Sequence, residues 1–196
     1  MIPMNSVFDL SFYNSIKLKQ AVLLDVELKR TILDVAQALI EAYKNGNCSR
    51  FCGNGGSAGD AQHIAAELSG RFYLDRPPLD SEALHVNASY VTAVANDYSY
   101  DVIYERMVQA QGKPGDVLFG ISTSGNSKNV LLAMKKAKEL GMITIALTGE
   151  GGGEMAEFAD FLIAIPSKDT PRIQEVHILV GHIICQIVEE ELFGKK

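Results

Sequence analysis

Five short apolar runs alternate with helical segments along most of this chain, and that rhythm limits the fold more than any other feature. The runs are Arg50–Cys52, Ala83–Val86, Val117–Ile121, Ile143–Leu147 and Phe161–Ile165. Each has strand length and lacks the polar alternation of a half-exposed strand, as strands buried on both faces do. Helix-period segments lie near Ala58–Leu68, Ile103–Gln111, Lys128–Leu140 and Gln174–Leu192. The alternation predicts an α/β fold, a doubly wound parallel five-stranded sheet flanked by helices. Ahead of it, apolar residues such as Val22, Val26, Ile32, Val35, Leu39 and Tyr43 recur at helical steps between Asp9 and Lys44, without Gly or Pro. This predicts one long helix stopped by Asn45-Gly46-Asn47. The expected organisation is an N-terminal helical extension over residues 1–45 and one compact unit over 46–196.

Composition removes several classes of function. A net charge of −6 is a poor match to a nucleic-acid backbone, so no nucleic-acid partner is expected. The most apolar stretch, around Ile178–Val188, is broken by Gly181, His182 and Gln186, so no membrane partner is expected. The first twenty residues lack the basic start and unbroken apolar run of a secretory signal. Three cysteines (Cys48, Cys52, Cys185) make an odd number, which fits free thiols in the cytoplasm.

Open parallel sheets bind ligands at the carboxyl ends of their strands. After the first run comes Gly53-Asn54-Gly55-Gly56-Ser57-Ala58-Gly59-Asp60, and after the third comes Ser122-Thr123-Ser124-Gly125-Asn126-Ser127. Each leads into a helix. Glycines let backbone N–H groups turn toward an anion at a helix N-terminus, and hydroxyls add donors suited to a phosphomonoester. Any one such serine is as readily a helix cap; two such loops at strand ends favour binding. The first loop also fits the relaxed dinucleotide pattern G-x-G-x-x-G/A. That pattern wants an acid after the next strand, and the residues there are Asn87, Ala88 and Ser89. Neither loop carries the Gly-Lys-Ser/Thr of a nucleotide triphosphatase.

His63 and Glu67 stand four apart on the first loop's helix, hence on one face. Gln174 and His182, eight apart on the last helix, fall roughly 80° apart on one broad face, whereas His177 lies roughly 140° from His182. Imidazole and carboxylate at i, i+4 suit zinc or a similar ion, although such pairs are more often a solvated face. A carboxylate, an imidazole and a phosphate anchor together suit proton abstraction beside a carbonyl.

Four segments, Cys52–Phe72, Val94–Val108, Gly115–Val130 and Arg172–Glu189, resemble in order and spacing the phosphoheptose isomerases, single-domain members of the sugar-isomerase (SIS) family. The resemblance implies conversion of D-sedoheptulose 7-phosphate to D-glycero-D-manno-heptose 7-phosphate, the first step toward activated heptose for bacterial surface glycans such as lipopolysaccharide. It implies that Ser57, Ser122, Thr123, Ser124 and Ser127 hold the phosphate, and that Asn54, Gly55, Gly56, Asn96 and Asp97 hold the sugar chain. Arg71, Glu67 and Gln174 would also meet the substrate. Glu67 would be the base and His182 its acid/base partner. His63, Glu67, Gln174 and His182 match zinc ligands, one ion per subunit, and the family is homotetrameric. Some members carry an acid just before the Arg-Ile-Gln-Glu run, where this chain has Pro171, preceded by Asp169 and Thr170.

Two other functions fit parts of the pattern. One is a non-catalytic SIS protein that binds a partner such as a replication initiator; Glu67 and His182 count against it. The other is a sugar-phosphate sensor joined to a DNA-binding module, for which the chain has neither an added domain nor a basic face.

Overall fold

The structure is a computed structural model and describes residues 4–194. Five strands form one sheet: β1 (Ser49–Gly53), β2 (Ser81–Ala83), β3 (Val117–Ser122), β4 (Ile143–Thr148) and β5 (Phe161–Ala164). Their order is β2-β1-β3-β4-β5 and every neighbouring pair is parallel. From β1 the chain steps outward to β2, then returns past β1 to build the other half. The carboxyl ends of β1 and β3 therefore flank the switch point, where open sheets present ligand crevices.

The helices are α1 (Met4–Leu24), α2 (Val26–Lys44), α3 (Gly56–Ser69), α4 (Ala88–Asp97), α5 (Ile103–Gln111), α6 (Lys128–Glu139) and α7 (Thr170–Phe193). Two apolar cores explain why the strand sequences do not alternate. Phe51, Phe119 and Ile145 point to one face, beneath Val35 and Leu39 of α2, Ile64 of α3 and Val180 of α7. Cys52, Leu118 and Ala146 point to the other, beneath Tyr104 of α5 and Met134 of α6. All three cysteines are free and buried. Among the described residues, no helix is long and apolar enough to cross a membrane.

The structure differs from the sequence reading in four places. The expected single helix over Asp9–Lys44 is two helices, because Asp25 leaves helical geometry and its carboxylate accepts from Leu28 N at 2.9 Å. That is an N-cap, which restarts the helix. Helix α4 has no counterpart in the sequence reading; Asn87 caps it by accepting from Tyr90 N at 3.1 Å. Only Val94 of α4 is buried, so it carries little apolar period. β2 sits at Ser81–Ala83 rather than Ala83–Val86. Leu84 N still reaches Phe51 O at 2.9 Å, after which the chain turns away. Helix α7 starts at Thr170, ahead of the expected Gln174, with Pro171 in its first turn, where a missing N–H costs nothing. Asp169 occupies the N-cap position without a side-chain cap bond.

Candidate functional site

Glycine-dependent turns set up both loops at the switch point. Gly55 has φ +55°, and a Cβ on Gly53 would lie 2.6 Å from Ser57 O. These constraints launch α3 directly from the end of β1, with Ser57 buried in its first turn. Tyr104, buried on α5, donates from its hydroxyl to Gly53 O. Asn54 and Asn129, the latter in the first turn of α6, exchange two hydrogen bonds of 2.8 and 2.9 Å. Tyr100 donates a third to Asn54 Oδ1 at 2.9 Å. The Asn54 amide is thus committed to binding the two loops together.

In the second loop the hydroxyls converge. Ser122 Oγ lies 2.9 Å from Ser127 Oγ and 3.3 Å from Ser124 Oγ, at the N-terminus of α6. The glycine run read from sequence as a plain turn supports this loop. Gly149 N donates to Thr123 O and Met155 N to Gly125 O, both at 3.0 Å. Glu154 N donates to Asn126 Oδ1 at 2.9 Å. A Cβ on Gly125 would overlap Gly152 O at 2.0 Å, so the two segments touch backbone to backbone.

Helix α7 lies alongside α3. At the sheet edge the Gln174 amide packs on Gly56, 2.5 Å from where a Cβ would stand. Farther along, Gly181 faces Ile64, whose Cδ1 lies 2.5 Å from a Cβ built there. The missing side chain permits the close approach that brings the functional groups together. His63 Nε2 is 3.0 Å from Glu67 Oε1 and 3.4 Å from His182 Nε2. The Phe72 ring lies 5.7 Å from the His182 ring. Ligand atoms of His63, Glu67 and His182 all fall within 4.8 Å of one another. The two facing imidazole nitrogens hydrogen-bond when one carries its proton and the other does not; when neither does, both lone pairs point into the same space. A cation between them uses both lone pairs, and a carboxylate completes a set suited to zinc.

The remaining residues are dispersed. His177 is fully buried, bonded to Thr148 O at 3.0 Å and outside this cluster. Burial lowers its pKa to about 4, partly offset by that bond. Asn96 and Asp97 are exposed at the end of α4 and bonded to each other at 2.9 Å. Arg71 is exposed just after α3. Asp60, on the first turns of α3, is pushed up to about 6 by burial, against the pull of His63. Sequence reasoning missed Asn129, Tyr100 and Gly181. Gly181 offered a signal, since glycine inside a long helix is costly without close packing.

Residues 12–149 match the family model of the SIS domain, and the two loops and sheet order make the chain a SIS-domain protein. It belongs to the phosphoheptose isomerase family. It is 52% identical over 193 residues to the phosphoheptose isomerase of Clostridium acetobutylicum, covering 98% of both chains. It is 54% identical to phosphoheptose isomerase 2 of Campylobacter jejuni, covering 98% of this chain and 96% of that one. The solved phosphoheptose isomerase of Francisella tularensis superposes with a TM-score of 0.93 at 34% identity, over 96% of this chain and 100% of that one. The Neisseria gonorrhoeae enzyme does so with 0.89 at 40%, with the same coverage.

Proposed function

We propose that the chain interconverts D-sedoheptulose 7-phosphate and D-glycero-D-manno-heptose 7-phosphate, the entry step of activated-heptose synthesis. The observation that carries this reading is the meeting of His63 and Glu67, on the helix that begins at the first phosphate-type loop, with His182 on the neighbouring α7. Aldose–ketose exchange moves a proton between neighbouring carbons through an enediol. It needs a base at carbon and a proton carrier at the two oxygens. Glu67 is the base: Oε1 faces His63, which leaves Oε2 for the carbon-bound proton. His182 carries the proton between the oxygens. Ser57, Ser122, Thr123, Ser124 and Ser127, with the N–H groups opening α3 and α6, hold the phosphate and so fix the sugar.

Gly55, Gly56 and Gln174, together with Asn96, Asp97 and Arg71, would hold the sugar chain, as the family resemblance implies. Asn54 contributes through its backbone, since its amide is occupied. A zinc ion, one per subunit, would be held by His63, Glu67 and His182, with the Gln174 amide as a weaker fourth ligand. When bound, it supplies Lewis-acid stabilisation of negative charge on the substrate oxygens.

The protein works in the cytoplasm as a homotetramer. Supporting an assembly, α1 exposes Phe8, Phe12, Tyr13 and Ile16, more apolar surface than a lone helix normally leaves to water. A non-catalytic SIS role is not favoured, since it needs neither Glu67 nor His182. The test is incubation of purified protein with sedoheptulose 7-phosphate. Aldose product supports the reading; phosphate binding without product would favour the non-catalytic role.

A further inference from the structure

A buried ion pair sits two helical turns beyond His182, and its bonds lead back to Glu67. The Glu189 carboxylate accepts from three successive backbone donors, Phe72 N at 3.0 Å, Tyr73 N at 2.6 Å and Leu74 N at 2.9 Å. It also accepts from Arg76 Nε at 2.9 Å, and both side chains are only 1% exposed. The other guanidinium nitrogens of Arg76 donate to carbonyls. Nη2 reaches Glu67 O at 2.8 Å, and Nη1 reaches Leu68 O at 2.9 Å, Pro77 O at 3.0 Å and Gly70 O at 3.3 Å.

The carbonyls of Glu67 and Leu68 belong to the last turn of α3, which has no helical partners of its own. Arg76 therefore caps the end of the helix that carries Glu67, and Glu189 fastens that cap to the helix that carries His182. The same carboxylate fixes Phe72, whose ring lies beside the His182 ring. Burial alone would raise the Glu189 pKa, but the three N–H donors and the guanidinium outweigh it and keep the group ionised.

Stability does not by itself account for such a pair. Buried ion pairs often contribute no more than apolar side chains of the same volume. What this one supplies is direction, since the planar fork of an arginine fixes several acceptors at once. Among the described residues, its hydrogen bonds join only the end of α3, the turn from residue 70 to 77, and α7. None reaches the serine loop at Ser122–Ser127.

We propose that Arg76 and Glu189 are positioning residues for the isomerisation, locking the 70–76 turn so that Glu67 stays registered against His182. The proposal rests on the reading of Glu67 and His182 as the acid–base pair. It predicts a split in the kinetics: the chemical step suffers while phosphate-anchored binding does not. Misplacement of about 1 Å costs up to about 100-fold in rate.

The experiment uses the full-length protein and measures kcat, KM for sedoheptulose 7-phosphate and melting temperature for Glu189→Gln and Arg76→Lys. A third variant, Arg76→Gln with Glu189→Gln, leaves no unpaired buried charge and so folds even where the single changes do not. Expected is a kcat about 10- to 100-fold lower well below the melting temperature, with KM changed less than about threefold. A lowered melting temperature with unchanged kcat would make the pair purely structural and overturn the proposal. Glu67→Gln is run in parallel. If it also keeps its rate, the acid–base reading fails, and the proposal with it. If it loses its rate while the pair variants keep theirs, only the proposal fails.

Discussion

Asn54 and Asn129 exchange two hydrogen bonds across the switch point, so the loop after β1 and the helix after β3 move as one body. Asn129 is buried, and its Oδ1 also accepts from its own helix at Val130 N. Asn129→Ala removes the tie and leaves the Asn54 amide short of a partner. Loss of about 1–2 kcal/mol follows, equivalent to a roughly 5- to 30-fold rise in KM with a preserved fold. Inhibition by inorganic phosphate checks it: weaker inhibition is expected, and unchanged inhibition would mean the loops are positioned independently.

Gly181→Ala tests the close approach of α7 to α3. Intrinsic propensity alone predicts stabilisation by about 1 kcal/mol, because alanine is the better helix former. The contact with Ile64, 2.5 Å from the added carbon, predicts the opposite sign. Thermal melting decides between them: a lower melting temperature is expected, and a higher one would show that the two helices have room to spare.

His177 gives the stability a specific pH dependence. Its folded pKa is lowered by burial to about 4, against about 6.5 when unfolded. Above 6.5 the group is neutral in both states and its full contribution is present. As pH falls from 6.5 toward 4 the unfolded chain takes up the proton first, so stability drops, by about 2–3 kcal/mol in all. Asp60 acts in the opposite sense, since a carboxyl raised to about 6 binds its proton first in the folded state. A comparison between wild type and His177→Gln, both in chelator, isolates the histidine. The variant is expected to show a flatter loss of stability between pH 6.5 and 4; an identical slope would place the acid sensitivity elsewhere.

Four strand runs were legible because burial on both faces removes the polar alternation of a half-exposed strand, as the opposite directions of Phe51 and Cys52 illustrate, whereas the short β2 alternates and was placed two residues late. The two loops were legible because glycine and hydroxyl residues cluster where strands end. The break at Asp25 was not: one capping carboxylate, with no glycine or proline, interrupts an otherwise continuous period. Helix α4 was hidden by its own exposure. His63, Glu67 and His182 could be placed on helix faces by spacing. That the faces meet depends on Gly181, on Arg76 and on Glu189, whose roles arise only from contacts distant in sequence.

Removal of metal should stop turnover and leave the fold intact. About one zinc per subunit is expected in the wild type, sharply less in His63→Ala, and an unchanged amount in His177→Gln, whose ring faces Thr148 O. Elemental analysis beside circular dichroism reads both quantities. Equal zinc in the wild type and His63→Ala would remove His63 from the ligand set.

The central claim is that this site moves a proton between carbons 1 and 2 of a seven-carbon sugar phosphate, with Glu67 as the base. The direct measurement is sedoheptulose 7-phosphate in heavy water, with wild type and Glu67→Gln compared by NMR of the product. The expected result is aldose carrying deuterium at carbon 2 from the wild type, and a rate at least about 100-fold lower from Glu67→Gln, whose amide is no base. Absence of aldose product from folded wild type, or near-equal rates from the two proteins, would contradict it.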